Sequence, residues 1–394
     1  MSGAPEAVVD GTVADGWEPL REVFQRHFDA GWEIGAAVAV YHRGRKVVDL
    51  WGGRFDEAGS QPYTDDSLQL VFSTTKGLGA IALALCAQRG LLDYDAPVAD
   101  CWPEFAAGGK ERITVAQLVS HQAGLPVVDG PVTLEQALDW DHMVGRLATQ
   151  APLWEAGTAH GYHALTFGWL AGELVRRVDP QGRSLGGFVA DEVVGPVQAE
   201  CWIGLPEAEE RRVSPLVPVR PSADAGVVQL MRQLTGPDTL IGRALTLNGA
   251  FPFGSQVWNS RAVRAAEIPS ANGVTNAASL ARIYSACVDE VAGVRLLDPE
   301  TVARVSATAT TKDEPDRILV FPSTFGMGFM TSGMFTPMLG PGSFGHAGAG
   351  GSLAFAHPGA GIGFGYVMNR MDSTLNGDVR ALGLVHAVKD VLAA

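Results

Sequence analysis

The sequence predicts an α+β fold, an α/β sandwich in which an antiparallel sheet made from both chain ends is flanked by N- and C-terminal helices, with a mostly helical region inserted between. Three observations predict it: a strand hairpin near each end, a helix outside each hairpin, and helical periodicity through the middle. Trp17–Ala30 places Leu20, Val23, Phe24 and Phe28 at helical spacing and stops at Gly31. Ala36–Tyr41 and Lys46–Trp51 are β-rich runs joined by His42, Arg43, Gly44 and Arg45, a hairpin with turn residues in place. Thr75–Arg89, Thr114–Ser120, Leu134–Thr149 and Leu165–Val178 read as helices, with stops at Gly90, Gly124 and Asp179–Gly182. Leu353–Ala356 and Ile362–Met368 form a second hairpin around His357–Gly361, and Val379–Leu392 is a closing helix. On this pattern residues 1–70 and 270–394 make the α/β body, residues 71–269 the helical region, and an active-site cleft lies between them.

With 394 residues, 46% hydrophobic and 18% charged, the chain can bury a large core and is neither disordered nor fibrous. A net charge of −14 repels phosphate backbones and anionic membranes, so neither nucleic acid nor membrane is an expected partner. Met1–Trp17 carries Glu6, Asp10 and Asp15 and no basic start followed by an apolar run, which points to a cytoplasmic address. The longest stretch without Asp, Glu, Lys or Arg, Ile318–Asn369, is broken by Pro322, Pro337, Pro341 and Pro358 and reads as buried strands and loops. Cys86, Cys101, Cys201 and Cys287 form no C-x-x-C pair and read as free thiols. No metal or organic cofactor is expected.

Chemistry first shows at Ser73-Thr74-Thr75-Lys76, the one place where any of the five lysines has a serine three positions before it. Lys76 opens Gly77–Ala87, a run apolar around its whole circumference and therefore an internal helix. Serine and lysine at this spacing share a helix face. Burial lowers a lysine pKa and frees the amine to act as base toward the hydroxyl. The helix N-terminus adds backbone N–H groups for an oxyanion. The competing reading is a capping serine beside a lysine that snorkels to the surface. No Gly-x-Ser-x-Gly elbow occurs, which disfavours an α/β-hydrolase.

Ile113–Pro126 (ITVAQLVSHQAGLP), preceded by Gly90-Leu91-Leu92-Asp93 and Asp95-Ala96-Pro97-Val98, resembles the stretch that follows the Ser-x-x-Lys helix in serine β-lactamases and penicillin-binding proteins. Gly161-Tyr162-His163-Ala164 is similar to their Tyr-x-Asn element with Ala164 replacing asparagine, and Gly345-His346-Ala347-Gly348 stands where they commonly carry Lys-Thr-Gly. These segments keep the order of the class C β-lactamase fold. Tyr162–Arg177, Gly182–Leu185, Trp202–Pro206 and Gly348–Ser352 resemble family VIII carboxylesterases more closely.

The resemblance implies a β-lactamase/transpeptidase-like fold and a serine carboxylesterase that hydrolyses small, short-chain acyl esters through an acyl-enzyme. Ser73 is then the nucleophile, and Lys76 and Tyr162 share the proton, with the choice of general base left open. The expected oxyanion and substrate-binding set is the Ser73 backbone, His346, Gly348, Ala349, Gly350, Gly351 and Ser352. Tyr162, read at a helix start, would gain phenolate stabilisation from the dipole and a nearby ammonium; otherwise it is a core tyrosine. His121 and His160, with no acidic neighbour at triad or metal-ligand spacing, read as polar loop histidines. Ala164 and Ala347 remove an amide and a hydroxyl that would anchor a β-lactam, and His346 has no sequence-local carboxylate to keep it charged, which favours neutral esters. A β-lactamase, a D-aminopeptidase-like amide hydrolase or an acyltransferase would use the same acyl-enzyme. A non-catalytic penicillin-binding-protein-like module is the rival of another kind, and it has no use for a buried lysine.

Overall fold

The computed structural model describes residues 9–59, 61–219, 224–311, 313–334, 336–372 and 378–394. Among them are ten strands: β1 (Val9–Val13), β2 (Gly35–His42), β3 (Arg45–Gly53), β4 (Gln69–Leu70), β5 (Cys201–Trp202), β6 (Val274–Thr275), β7 (Met330–Thr331), β8 (Phe344–Ala347), β9 (Leu353–His357) and β10 (Ile362–Met368). Seven form one antiparallel sheet in the order β1-β3-β2-β10-β9-β8-β7, so the two chain ends meet at the β2–β10 pair. The other three make a small sheet, β4-β6-β5, beside it.

Both expected hairpins form. Arg43 and Gly44, at φ 49° and 74°, make the two-residue turn between β2 and β3, a geometry whose twist suits adjoining strands. Alternation along β2 divides the core: Ala36, Val38 and Val40 join the cluster containing Leu20, Phe24 and Leu384, whereas Ala37, Ala39 and Tyr41 join the cluster on the opposite face. The helices Glu18–Asp29 and Val379–Ala393 pack against each other on the first side. Each Leu or Phe sealed there contributes roughly 1.5–3 kcal/mol. On the second side lies Ala277–Val288, a helix with no counterpart among the sequence-predicted elements. Nearly all of its residues are buried, so it shows no polar stripe for periodicity to detect. It sits so close to β10 that a Cβ on Gly363 would fall 2.3 Å from the Ala281 carbonyl oxygen.

Thr75–Gln88 is internal as expected, buried from Thr75 to Cys86, and packs on Thr166–Val178. The expected helix Leu134–Thr149 is instead two, Leu134–Leu138 and Trp140–Thr149. Asp139 at ψ 110° ends the first and caps the second, its carboxylate accepting the His142 N–H at 3.0 Å. A cap formed by an Asp side chain here outweighed the unbroken apolar pattern. No helix among the described residues is long and apolar enough to cross a membrane.

Candidate active site

Ser73 lies in a single 3₁₀ turn, Phe72–Thr74, between β4 and the Thr75–Gln88 helix. Phe72 has φ 44°, a left-handed backbone unfavourable for a bulky side chain, so strain is stored one residue before the hydroxyl. The segment is held by its surroundings: Thr75 Oγ1 donates to Phe72 O at 2.5 Å and accepts from the Gly273 N–H at 2.9 Å. Val71 N–H donates to Gly273 O at 2.9 Å. Ser73 is half-buried.

Lys76 is completely buried. Its Nζ is 3.1 Å from Ser73 Oγ, 2.6 Å from Ala164 O and 3.0 Å from Ser270 O, and sits 4.8 Å from the centre of the Tyr162 ring. Burial, with no carboxylate to oppose it, drives the amine well below the ordinary lysine value. A neutral amine has two N–H donors and one lone pair. As an ammonium, Nζ donates to all three oxygens; in the neutral form that burial favours, the two carbonyls can only accept and take both donors, which leaves the lone pair for the Ser73 O–H.

Tyr162 differs from expectation. The helix begins at Thr166, four residues on, so no dipole stabilises a phenolate at Tyr162. Burial instead pushes the phenol above its usual range, partly opposed by the nearby Ser73 hydroxyl, and the Tyr162 O–H meets no hydrogen-bonding partner among the described residues. It is a neutral hydroxyl. Its backbone N–H is gripped by both Asp316 oxygens at 3.0 and 3.1 Å, and its ring stacks on Phe325 at 5.9 Å and 7°.

His346, on β8, is fully buried with its ring centre 5.9 Å from that of Tyr162. Its Nδ1–H donates to Ala347 O at 2.7 Å, which leaves an unpartnered lone pair on Nε2. Burial, and secondarily Lys76, pushes its pKa down to about 3, so the imidazole is neutral. His121 and His160 lie in loops and make polar contacts, as expected, but both are buried: His121 Nδ1 accepts the His163 N–H at 3.1 Å and His160 Nε2 lies 3.3 Å from Ser323 Oγ. His121 is buried at φ 64° with its ring 5.1 Å from Tyr162 and 4.3 Å from Phe325. His160 gains an acidic neighbour from a distant segment, Asp316 Oδ2 at 4.0 Å.

The Gly348–Ser352 turn leans on the nucleophile segment. A Cβ on Gly348 would fall 2.2 Å from Val71 O, so only glycine permits the approach. Ser352 is 1% exposed, and its hydroxyl donates to Val71 O at 2.8 Å and lies 3.1 Å from Thr74 Oγ1. That side chain ties the turn to the Ser73 segment and is not free for substrate. Within the turn the Gly348 N–H goes to Ser352 O and the Gly351 N–H to Gly348 O. Ala349, Gly350 and Ser352 keep N–H groups not committed there.

Ser73, Lys76, Tyr162, His346 and the glycine turn thus converge. Sequence reasoning did not find Asp316, Ser270 or the Ala164 carbonyl. Carbonyl acceptors carry no side-chain signature, and Asp316 offered only its place at the edge of the charge-free stretch.

Known proteins share this arrangement of chain. The family profile described as Beta-lactamase matches residues 20–388. The chain is 38% identical over 370 residues to the esterase/beta-lactamase LipL of Mycobacterium tuberculosis, covering 91% of this chain and 83% of that protein. A crystal structure of a family VIII carboxylesterase superimposes with a TM-score of 0.87 at 37% identity, covering 98% of this chain and 100% of the other. A penicillin-binding protein homolog from Caulobacter crescentus gives 0.86 at 35% identity, with 98% and 100% covered. The match along nearly the whole chain, together with a seven-stranded antiparallel sheet closed by its two ends, establishes that this protein belongs to the beta-lactamase family.

Proposed function

We propose that the protein is a serine carboxylesterase that hydrolyses small, short-chain acyl esters through an acyl-enzyme, at the junction of the helical region 71–269 with the body 1–70 and 270–394. The observation that carries this reading is the buried Lys76, whose Nζ lies 3.1 Å from Ser73 Oγ and donates to the carbonyls of Ala164 and Ser270; once the amine is neutral those two carbonyls take both of its N–H groups and leave the lone pair to Ser73. The names of LipL and of the family VIII carboxylesterase support the ester-hydrolase reading.

Lys76 takes the Ser73 proton as Oγ attacks the ester carbonyl, and the oxyanion rests on the Ser73 N–H and a donor from Ala349–Ser352. Collapse breaks the ester C–O bond. Tyr162 gives its proton to the leaving alkoxide and regains one from the Lys76 ammonium. Water then attacks the acyl-enzyme, its proton passes to the Tyr162–Lys76 pair, and the acid leaves with Ser73 restored. Neutral His346 supplies no fixed cation for a substrate carboxylate, which favours uncharged esters.

Hydrolysis of p-nitrophenyl esters of increasing acyl length, measured beside a chromogenic cephalosporin, tests the reading. Preference for short acyl chains supports it, and efficient cephalosporin turnover with no ester turnover would replace it with a lactamase. Tyr162→Phe is expected to fold normally, by circular dichroism, and to lose about a hundredfold in kcat. Unchanged turnover would leave Tyr162 a packing residue. His346→Lys is expected to raise the cephalosporin-to-ester ratio of kcat/KM by about 1 kcal/mol of differential transition-state binding if the longer side chain carries its ammonium out to partly exposed space; left as buried as His346, the amine would be neutral like Lys76 and the ratio would not move. Since wild-type His346 is neutral across the working range, its own ratio should not change between pH 5.5 and 7.5. Loss of both activities in proportion would mean that His346 only supports the fold.

A further inference from the structure

Behind the Gly348–Ser352 turn lies a buried charge cluster with no part in the proton path above. Arg380 Nη2 donates to Gly350 O at 2.7 Å and to Asp378 Oδ2 at 2.7 Å, and Nε donates to Asp378 Oδ1 at 3.0 Å. Nη1 donates to Glu33 Oε2 at 3.0 Å and to Arg370 O at 2.9 Å, and the Tyr366 hydroxyl donates to the other Glu33 oxygen. The side chains of Arg380, Glu33 and Asp378 are at most 3% exposed. Keeping three ionisable groups out of water is costly, and an apolar plug would fill the same space with less desolvation. A plug would leave the Gly350 carbonyl to the Asp372 N–H alone, at 3.0 Å, whereas Arg380 adds a second, charged donor that fixes its direction.

The turn is pressed directly onto this cluster. At Gly351, with φ 129°, a Cβ would fall 2.4 Å from Asp378 Oδ2. Because the peptide unit is planar, fixing Gly350 C=O also fixes the Gly351 N–H, which closes the turn on Gly348 O at 3.1 Å. Closure sets the directions of the Ala349 and Gly350 N–H groups.

We propose that Arg380, held by Asp378 and Glu33, is a positioning residue that locks the Gly348–Ser352 turn so that its free N–H groups point at the oxyanion. This rests on the Ser73 acyl-transfer reading. Since an oxyanion exists only in the transition state and tetrahedral intermediate, misaimed donors lower kcat and spare KM.

The test is Arg380→Lys in the full chain, because lysine keeps the charge but lacks the planar fork that reaches Gly350 and Asp378 together. A fluorophosphonate probe measures two things: its end-point stoichiometry counts competent sites, and its labelling rate depends on oxyanion stabilisation. The expected result is unchanged stoichiometry, with kcat per labelled site and labelling rate both lower by about a hundredfold, and KM within about threefold of wild type. Asp378→Asn, which preserves shape while weakening the hold on the guanidinium, supplies the same two readouts if the first variant does not fold. A kcat per labelled site within about twofold of wild type, or a loss confined to stoichiometry, would overturn the positioning role. Absence of labelling and hydrolysis in the wild type would instead sink the acyl-transfer reading itself.

Discussion

Ser73→Ala is expected to lower kcat for a p-nitrophenyl ester by about 10⁴-fold or more, because nucleophile and base act as one unit and the remaining site cannot form the acyl-enzyme. The fold should be untouched. Ser73 is half-buried in a turn fixed by Thr75, Gly273 and Ser352, none of which uses its hydroxyl. Steady-state kinetics with a melting curve decide the matter, and retention of more than about a tenth of wild-type turnover would mean that another group attacks.

Lys76→Met is expected to cost several orders of magnitude in kcat while leaving the apolar run Gly77–Cys86 in place. It also carries a signature in stability. Burial holds the folded-state pKa of Lys76 well below its ordinary value of 10.5, so between those two values the unfolded chain binds one proton more than the folded one. Wild-type stability therefore rises as pH climbs through that window, and the burial cost is fully present below it. The methionine variant lacks this slope. Comparing Tm at pH 7 and pH 9 should show wild type gaining on the variant; parallel curves would place the lysine in a more hydrated setting than its carbonyl partners imply. In activity, the same depressed pKa makes the free amine available near neutrality, and kcat/KM should fall on acidification as Lys76 takes up a proton.

Most of the sheet could be read in advance because its hairpins announce themselves, Arg43-Gly44 by turn chemistry and β10 by its run from Ile362 to Met368. The helix Ala277–Val288 could not, since a segment buried on every side loses the periodicity that marks a helix. β1 was missed for a different reason: a short edge strand containing Asp10 and Gly11 has weak β character and is defined by its pairing with β3. At the site, Ser73 and Lys76 were visible as a spacing, but the two carbonyls that orient Lys76 come from Ala164 and Ser270, far along the chain. The state of Tyr162 also depends on tertiary contacts. Its distance from the Thr166 helix start and its burial against Phe325 and His121 decide that it stays protonated.

The account stands most directly on Ser73 as the attacking atom. Titrating the wild-type protein with a fluorophosphonate and mapping the adduct by peptide mass spectrometry puts this to one measurement. A single phosphonyl group on Ser73, with ester hydrolysis lost in proportion to labelling, is the predicted result. An adduct on another residue, or hydrolysis that persists once Ser73 is fully labelled, would contradict it.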